Sequence, residues 1–270
     1  MKELGKKLVN SCLAPFGLEM RRIESARLLP RIYGQTIDEL LGAFQLLGFS
    51  ALPADELRVP LLMRMMGSGI GESAYLIEYL RKSFALDGDV CEFGVAAGAT
   101  SALIANEIRS TDKTLWLFDS FEGLPRPTEK DKLLDDVLQL GSMDRYEGAM
   151  SFPVGAVRKR LQEIAFPVNR TKIVPGFIEE TLAKGAVPSA VAFAYVDLDF
   201  YDPIRLALRF LHGVTSPGGF VMIDDYGFLS EGAKTAVDEF CDEYGDAYEK
   251  IMPHPFAGHF VILRKTVKTP

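Results

Sequence analysis

Residues 190–227, AVAFAYVDLDFYDPIRLALRFLHGVTSPGGFVMIDDYG, constrain the fold more than any other stretch. Two apolar runs, residues 191–196 and 220–223, lead directly into acids: Asp197-Leu198-Asp199 after the first and Asp224-Asp225 after the second. Continuous runs of Val, Ala, Phe and Ile predict strands buried on both faces, as in a parallel sheet. Between them Leu206, Leu208, Phe210 and Leu211 predict a crossover helix, closed by Ser216-Pro217-Gly218-Gly219. A right-handed strand–helix–strand unit brings both strand ends to the same sheet edge, where open α/β sheets bind ligands. Four carboxylates then converge, and an all-oxygen set of that charge suits Mg²⁺, Ca²⁺ or Mn²⁺. The plainer alternative is a solvated acidic sheet edge with no ion.

The alternating pattern starts earlier. Residues 89–101, DVCEFGVAAGATS, predict a strand, a tight loop of small residues and a helix. Gly94 and Gly98 let backbone approach a ligand without interference from a Cβ. Thr100 and Ser101 stand where a helix N-terminus offers free N–H groups and hydroxyls. The Gly-x-x-x-Gly spacing differs from the dinucleotide fingerprint, and no Lys follows as in a phosphate-binding loop. The next strand, 115–118, ends in Asp119, roughly 20 residues beyond the glycine loop, the separation at which an acid can hold ribose hydroxyls. An ordinary strand-to-helix turn and an acidic N-cap are the bland alternatives.

Outside this core the expectations are coarser. The 270 residues carry a net charge of −7, which argues against a broad nucleic-acid face. One large α/β domain over 61–270, preceded by a helical segment over 1–60, fits the length. Lys2, Lys6, Lys7, Arg21, Arg22, Arg27 and Arg31 make that segment basic. It could be a membrane-surface or partner-binding helix, or a cap or homo-oligomerisation arm, the commoner use. Breaks are expected at Pro15, Pro30, Pro53 and Pro60, with Ile37, Leu40, Leu41, Phe44 and Leu47 forming one buried stripe. Cys12, Cys91 and Cys241 match no disulfide or metal framework, so a reducing cytoplasm is expected, with Cys91 in the core. Neither a signal peptide nor a membrane span is expected.

Helices are expected at 72–84, at 157–165, from about Ile178, and at 231–244, with a short strand at 172–175. Phe177 could stack on an adenine or belong to the core. The polar, irregular span 125–155 predicts a lid. Residues 248–252 and 260–263 predict an antiparallel hairpin, its loop flanked by His254 and His259.

Several fragments resemble the macrocin O-methyltransferase family, S-adenosylmethionine-dependent sugar O-methyltransferases of macrolide and aminocoumarin biosynthesis. They are Glu92-Phe93-Gly94 with Gly98, Asp119-Ser120-Phe121-Glu122-Gly123-Leu124-Pro125, Asp197-x-Asp199-x-Tyr201, and the run from Ser216 to Gly227 ending in Asp224-Asp225-Tyr226-Gly227. The resemblance runs from about Met63 to about Arg264. It implies a class I methyltransferase fold: a Rossmann-like, mostly parallel sheet with an antiparallel C-terminal hairpin, here with an N-terminal helical extension. It further implies a donor lying over the loop from Gly94 to Gly98. Glu92 and Ser101 would hold its methionine end and Asp119 its ribose, with Thr100, Ser120, Phe121, Phe177 and Asp197 as further contacts. Asp197, Asp224 and Asp225 would ligate Mg²⁺ or Mn²⁺, and Asp199 would be the general base. The acceptor would be a small molecule or glycan. Two other functions fit the acids alone: a nucleotide-sugar glycosyltransferase using Asp197-Leu198-Asp199, or a non-catalytic binding protein on the same fold.

Overall fold

The computed structural model describes residues 23–65, 67–184 and 187–267. Pro15, Cys12 and the basic residues Lys2, Lys6, Lys7, Arg21 and Arg22 therefore lie outside the described residues. The described strands form one sheet: β1 (Asp89–Phe93), β2 (Leu115–Asp119), β3 (Thr171–Pro175), β4 (Val191–Val196), β5 (Thr215–Ile223), β6 (Tyr248–Ile251) and β7 (Val261–Lys265). The spatial order is β3-β2-β1-β4-β5-β7-β6. The first five run parallel, and β7 is antiparallel to both β5 and β6. This is the predicted sheet, C-terminal hairpin included. The strand order reverses between β1 and β4, so their C-terminal ends flank the switch point where such sheets bind ligands.

Eight α-helices are described: α1 (Ile23–Phe44), α2 (Arg58–Leu62), α3 (Ile70–Lys82), α4 (Ala99–Glu107), α5 (Val154–Glu163), α6 (Ile178–Lys184), α7 (Tyr201–Val214) and α8 (Glu231–Tyr244). Successive strand side chains point to opposite faces, and the sheet sorts its core accordingly. Val90, Leu115, Leu117, Phe193, Tyr195 and Met222 pack with α1, α3, α4 and α5 on one face. Cys91, Phe93, Ala194, Val196, Val221 and Ile223 pack with α6, α7 and α8 on the other. Every residue of β4 is buried, as its continuous apolar run requires. No described helix is long and apolar enough to cross a membrane.

The structure departs from the sequence expectations at several places. Helix α1 continues through Pro30, where a break was expected. Proline removes one intrahelical hydrogen bond, and burial of Ile37, Leu41 and Phe44 in the following turns anchors the helix against that loss. Leu40 and Leu47 are not in the stripe; they are 44% and 47% exposed. Pro60 lies in the first turn of α2, a position that tolerates it. Strand β5 starts at Thr215, ahead of the expected turn, because Thr215 pairs with Val191 and a register shift absorbs Ser216 to Gly219 before Phe220 meets Phe193.

Residues 125–155 hold no long helix or strand, but they are well anchored. Tyr146 is fully buried with Phe200 and Leu229 in a small separate core. Its hydroxyl donates to Asp136 Oδ1 at 2.8 Å. Asp131 Oδ1 accepts the first N–H of α7, from Tyr201, at 2.7 Å. Leu133 forms an isolated bridge with Ser230.

Candidate active site

A cavity of about 690 Å³ opens at the C-terminal ends of β1, β2, β4 and β5. Its floor is the loop after β1. Gly94 has φ +83°, and a Cβ there would collide with the Asp197 carbonyl oxygen, so only glycine lets β1 and β4 meet this closely. Gly98, at φ +79°, leads into α4. Asp119 at the end of β2 ties the loop down: its Oδ2 accepts the Val95 and Ala96 N–H groups at 2.7 and 2.9 Å. Its Oδ1 accepts the Phe121 N–H at 2.6 Å. Asp119 thus braces the loop while still lining the cavity.

The expected donor contacts divide into two groups. Gly94, Thr100, Asp119, Ser120, Phe177 and Asp197 line the cavity; Glu92, Ser101 and Phe121 do not. Ser101 Oγ donates to Glu92 Oε2 at 2.5 Å beneath the loop, where Glu92 is wholly buried. Burial raises the Glu92 carboxyl to about 8, against the lowering effect of the Ser101 hydrogen bond. Its other oxygen, Oε1, has no partner, a costly state for a buried acceptor. Phe121 packs instead on the main core. Gly98 does not line the cavity; a Cβ there would lie 3.0 Å from the Val157 Cα, so the residue serves the course of the loop.

The acids meet beyond β4 and β5. The chain turns at Leu198, where the Phe200 N–H donates to the Leu198 carbonyl at 2.6 Å, so Asp197 and Asp199 are not neighbours along one extended strand. The turn itself brings them together: oxygens of Asp197, Asp199 and Asp225 lie within 4.8 Å of one another. Asp199 and Asp225 hold left-handed backbones, at φ +61° and +54°, each costing about 1 kcal/mol or more. Two strained acids on facing loops mark a site built for charge. Burial raises the carboxyls of Asp197, Asp199 and Asp225 above the usual range, and the neighbouring acids push Asp197 and Asp225 further. Asp224 stands outside the group of three, and its Oδ2 accepts the Tyr195 hydroxyl at 2.8 Å. Asp197, Asp199 and Asp225 are thus already gathered closely enough to hold a cation, and Asp224, which sequence reasoning placed with Asp197 and Asp225 as a ligand, lines the same cavity.

Charge balance makes the same point. The lining carries Glu72, Asp119, Glu179, Asp197, Asp199, Asp224 and Asp225, with no Lys or Arg among the described lining residues. His259 also lines the cavity and stacks on Phe228 at 4.9 Å. His254 turns away and packs on Phe256 at 4.2 Å. Acids this numerous and this buried fit a divalent cation, whose hard charge prefers carboxylate oxygen. The unpartnered Glu92 Oε1 fits a cationic donor group in the same way. Sequence reasoning missed Glu72, Tyr195 and Phe228. A tyrosine inside the otherwise apolar β4 was the available signal, since a buried phenol needs a hydrogen-bond partner.

Residues 76–249 match the family model described as Macrocin-O-methyltransferase (TylF). The chain is 30% identical over 161 residues to the 8-demethyl-8-(2,3-dimethoxy-alpha-L-rhamnosyl)-tetracenomycin-C 4'-O-methyltransferase of Streptomyces olivaceus, across 58% of this chain and 59% of that protein. It is 30% identical over 165 residues to the mycinamicin III 3''-O-methyltransferase of Micromonospora griseorubida, across 58% of this chain and 62% of that one. The similarity therefore spans about three fifths of the length of these relatives. Among solved structures, the O-methyltransferase NovP superposes with a TM-score of 0.63 at 24% identity, covering 74% of this chain and 81% of that chain. That is a likeness of fold.

Proposed function

The chain belongs to the macrocin O-methyltransferase family, and from that premise we propose that it methylates a hydroxyl of a sugar or glycosylated natural product, using S-adenosylmethionine and a divalent cation. The observation that carries this reading is the meeting of a glycine-floored loop and seven carboxylates in one cavity, with no Lys or Arg among the described lining residues. The sulfonium donor supplies a methyl group that is already electrophilic, so the protein's task is to bind, orient and deprotonate the acceptor. Mg²⁺ or Mn²⁺ held by Asp197, Asp224 and Asp225 would orient the acceptor hydroxyl and lower its pKa.

The remaining roles fall to the chain's own side chains. The backbone from Gly94 to Gly98 admits the donor closely, and Asp119 faces its ribose. Glu92, held by Ser101 beneath the loop, places a negative charge or an unpartnered acceptor under the donor's methionine end. Asp199 lies with Asp197 and Asp225, within reach of a hydroxyl oriented there, and takes its proton as general base. Holding the hydroxyl in line with the methyl group supplies much of the remaining acceleration.

Methyl transfer from isotope-labelled S-adenosylmethionine to a panel of deoxysugar glycosides, read by mass spectrometry, tests this function. Activity should vanish on chelation and return with Mg²⁺ or Mn²⁺. Full turnover in metal-free buffer would remove the cation from the mechanism. Calorimetric binding of nucleotide sugars, with no methyl transfer to any glycoside, would favour glycosyl transfer.

We assign residues 125–155 the role of a lid. Val137, Leu138, Met150 and Phe152 from this span line the cavity, while Leu134, Val137 and Leu138 remain more than two fifths exposed. Fastened through Asp131, Leu133 and Tyr146, the span can close over the cavity as a unit and exclude water. Limited proteolysis should cut between Leu134 and Gly141 in the free enzyme. S-adenosylhomocysteine plus acceptor should slow that cut several-fold, and equal rates in both states would refute a lid.

A further inference from the structure

Two buried groups lead straight to the carboxylates without a role in the chemistry above. Tyr195 projects from β4 and is fully buried. Its hydroxyl oxygen lies 2.5 Å from Glu72 Oε1 and 2.8 Å from Asp224 Oδ2. Glu72 stands in the first turn of α3, 6% exposed, and lines the cavity. Its place is mechanically fixed. A Cβ on the preceding residue, Gly71, would lie 2.6 Å from the Ala257 Cα, so α3 begins hard against the loop between β6 and β7.

Burying a phenol calls for one hydrogen-bond partner. Two carboxyl groups on a single hydroxyl, both taken out of water, are more than satisfaction requires and are expensive to bury. The arrangement makes sense as a brace. Glu72 fixes the direction of the Tyr195 hydroxyl from one side, and that hydroxyl fixes Asp224 from the other. Groups behind a metal ligand that orient it in this way commonly change metal affinity about 10–100-fold when removed. Building on the cation-dependent function proposed above, we infer that Glu72 and Tyr195 are positioning residues that hold Asp224 ready for the cation. The N-terminal helix α3 thereby becomes part of the metal site, although it lies outside the strand-end loops that supply the carboxylates.

Mn²⁺ binding to the full chain, followed by electron paramagnetic resonance, tests the inference, with thermal melting to establish that each variant is folded. Tyr195→Phe keeps the ring and removes the hydroxyl; it should weaken Mn²⁺ binding about 10–100-fold. Glu72→Ala should weaken it comparably. Glu72→Gln keeps an N–H donor that can bond the Tyr195 oxygen and leave the hydroxyl proton for Asp224, and should recover most of the affinity. Wild-type affinity in folded Tyr195→Phe would overturn the inference. So would a Glu72→Gln variant as weak as Glu72→Ala, because Glu72 would then act through its charge as a direct ligand. A wild-type chain that binds no Mn²⁺ would instead overturn the cation-dependent function on which the inference rests.

Discussion

Replacing Asp199 with Asn is expected to lower kcat by about 10²–10⁴-fold, the usual worth of a general base, or about 3–5 kcal/mol of transition-state stabilisation. The substitution keeps the shape and one oxygen of the side chain while removing its ability to take a proton. Donor binding should hold, because Asp199 lies beyond β4 while the loop from Gly94 to Gly98 is braced by Asp119. KM for the donor should therefore stay nearly constant as kcat falls, the pattern of an interaction made in the transition state. Asp197→Asn should behave differently, losing cation affinity and regaining rate with excess Mg²⁺.

The pH profile separates these variants further. Burial raises the Asp199 carboxyl above the usual range, and the base must be unprotonated to act. Wild-type kcat should therefore rise with pH through the pKa of Asp199 in the loaded enzyme and fall away on the acid side. The residual activity of Asp199→Asn should lack that acid limb. Near-normal turnover in this variant would leave cation activation and proximity as the whole of catalysis.

The convergence of acids was legible because it depends on rules that act at the scale of whole elements. Two apolar runs ending in acids, joined by one crossover helix, can only put those acids on a common edge. Which carboxylate touches which depends on single dihedral angles. An extended course through Leu198 would have set Asp197 and Asp199 on one face. The left-handed backbone at Asp199 sends the chain into α7 instead, and Asp199 joins Asp225 rather than trailing along the edge. Glu72 was illegible for another reason. An acid in the first turn of a helix suits the helix dipole wherever the helix lies, so nothing in its local sequence distinguishes a solvated Glu from one facing Tyr195. Phe121 shows the converse: a motif position suggested a ligand contact, and the partly buried ring packs against the core.

The second large effect is expected in stability, at a place where the segment before the sheet is fastened to it. Glu107, at the end of α4, has a fully buried carboxylate. It accepts from Arg58 Nε at 2.6 Å and Arg58 Nη2 at 3.0 Å, and from Arg81 Nη1 at 3.1 Å. Arg58, on α2, is itself nearly buried and also donates to the Pro53 carbonyl at 2.8 Å. Next to it, Asp55 accepts from the Leu57 N–H at 2.8 Å and from Asn106 Nδ2 at 2.6 Å. The Arg58–Glu107 pair at the junction between residues 53–58 and α4 is thus polar and shielded from water. Such a pair adds little over a well-packed apolar contact, yet breaking it strands a charge in the interior. Glu107→Ala should therefore cost about 3–5 kcal/mol, lowering Tm on the order of 10 °C for a domain of this size. Chemical denaturation read by circular dichroism measures it. Arg81 is partly exposed, so its loss should cost far less, because water can take over its share of the carboxylate. Equal and small losses for Glu107→Ala and Arg81→Ala would mean that water reaches this junction and that apolar packing alone fastens α2 to α4.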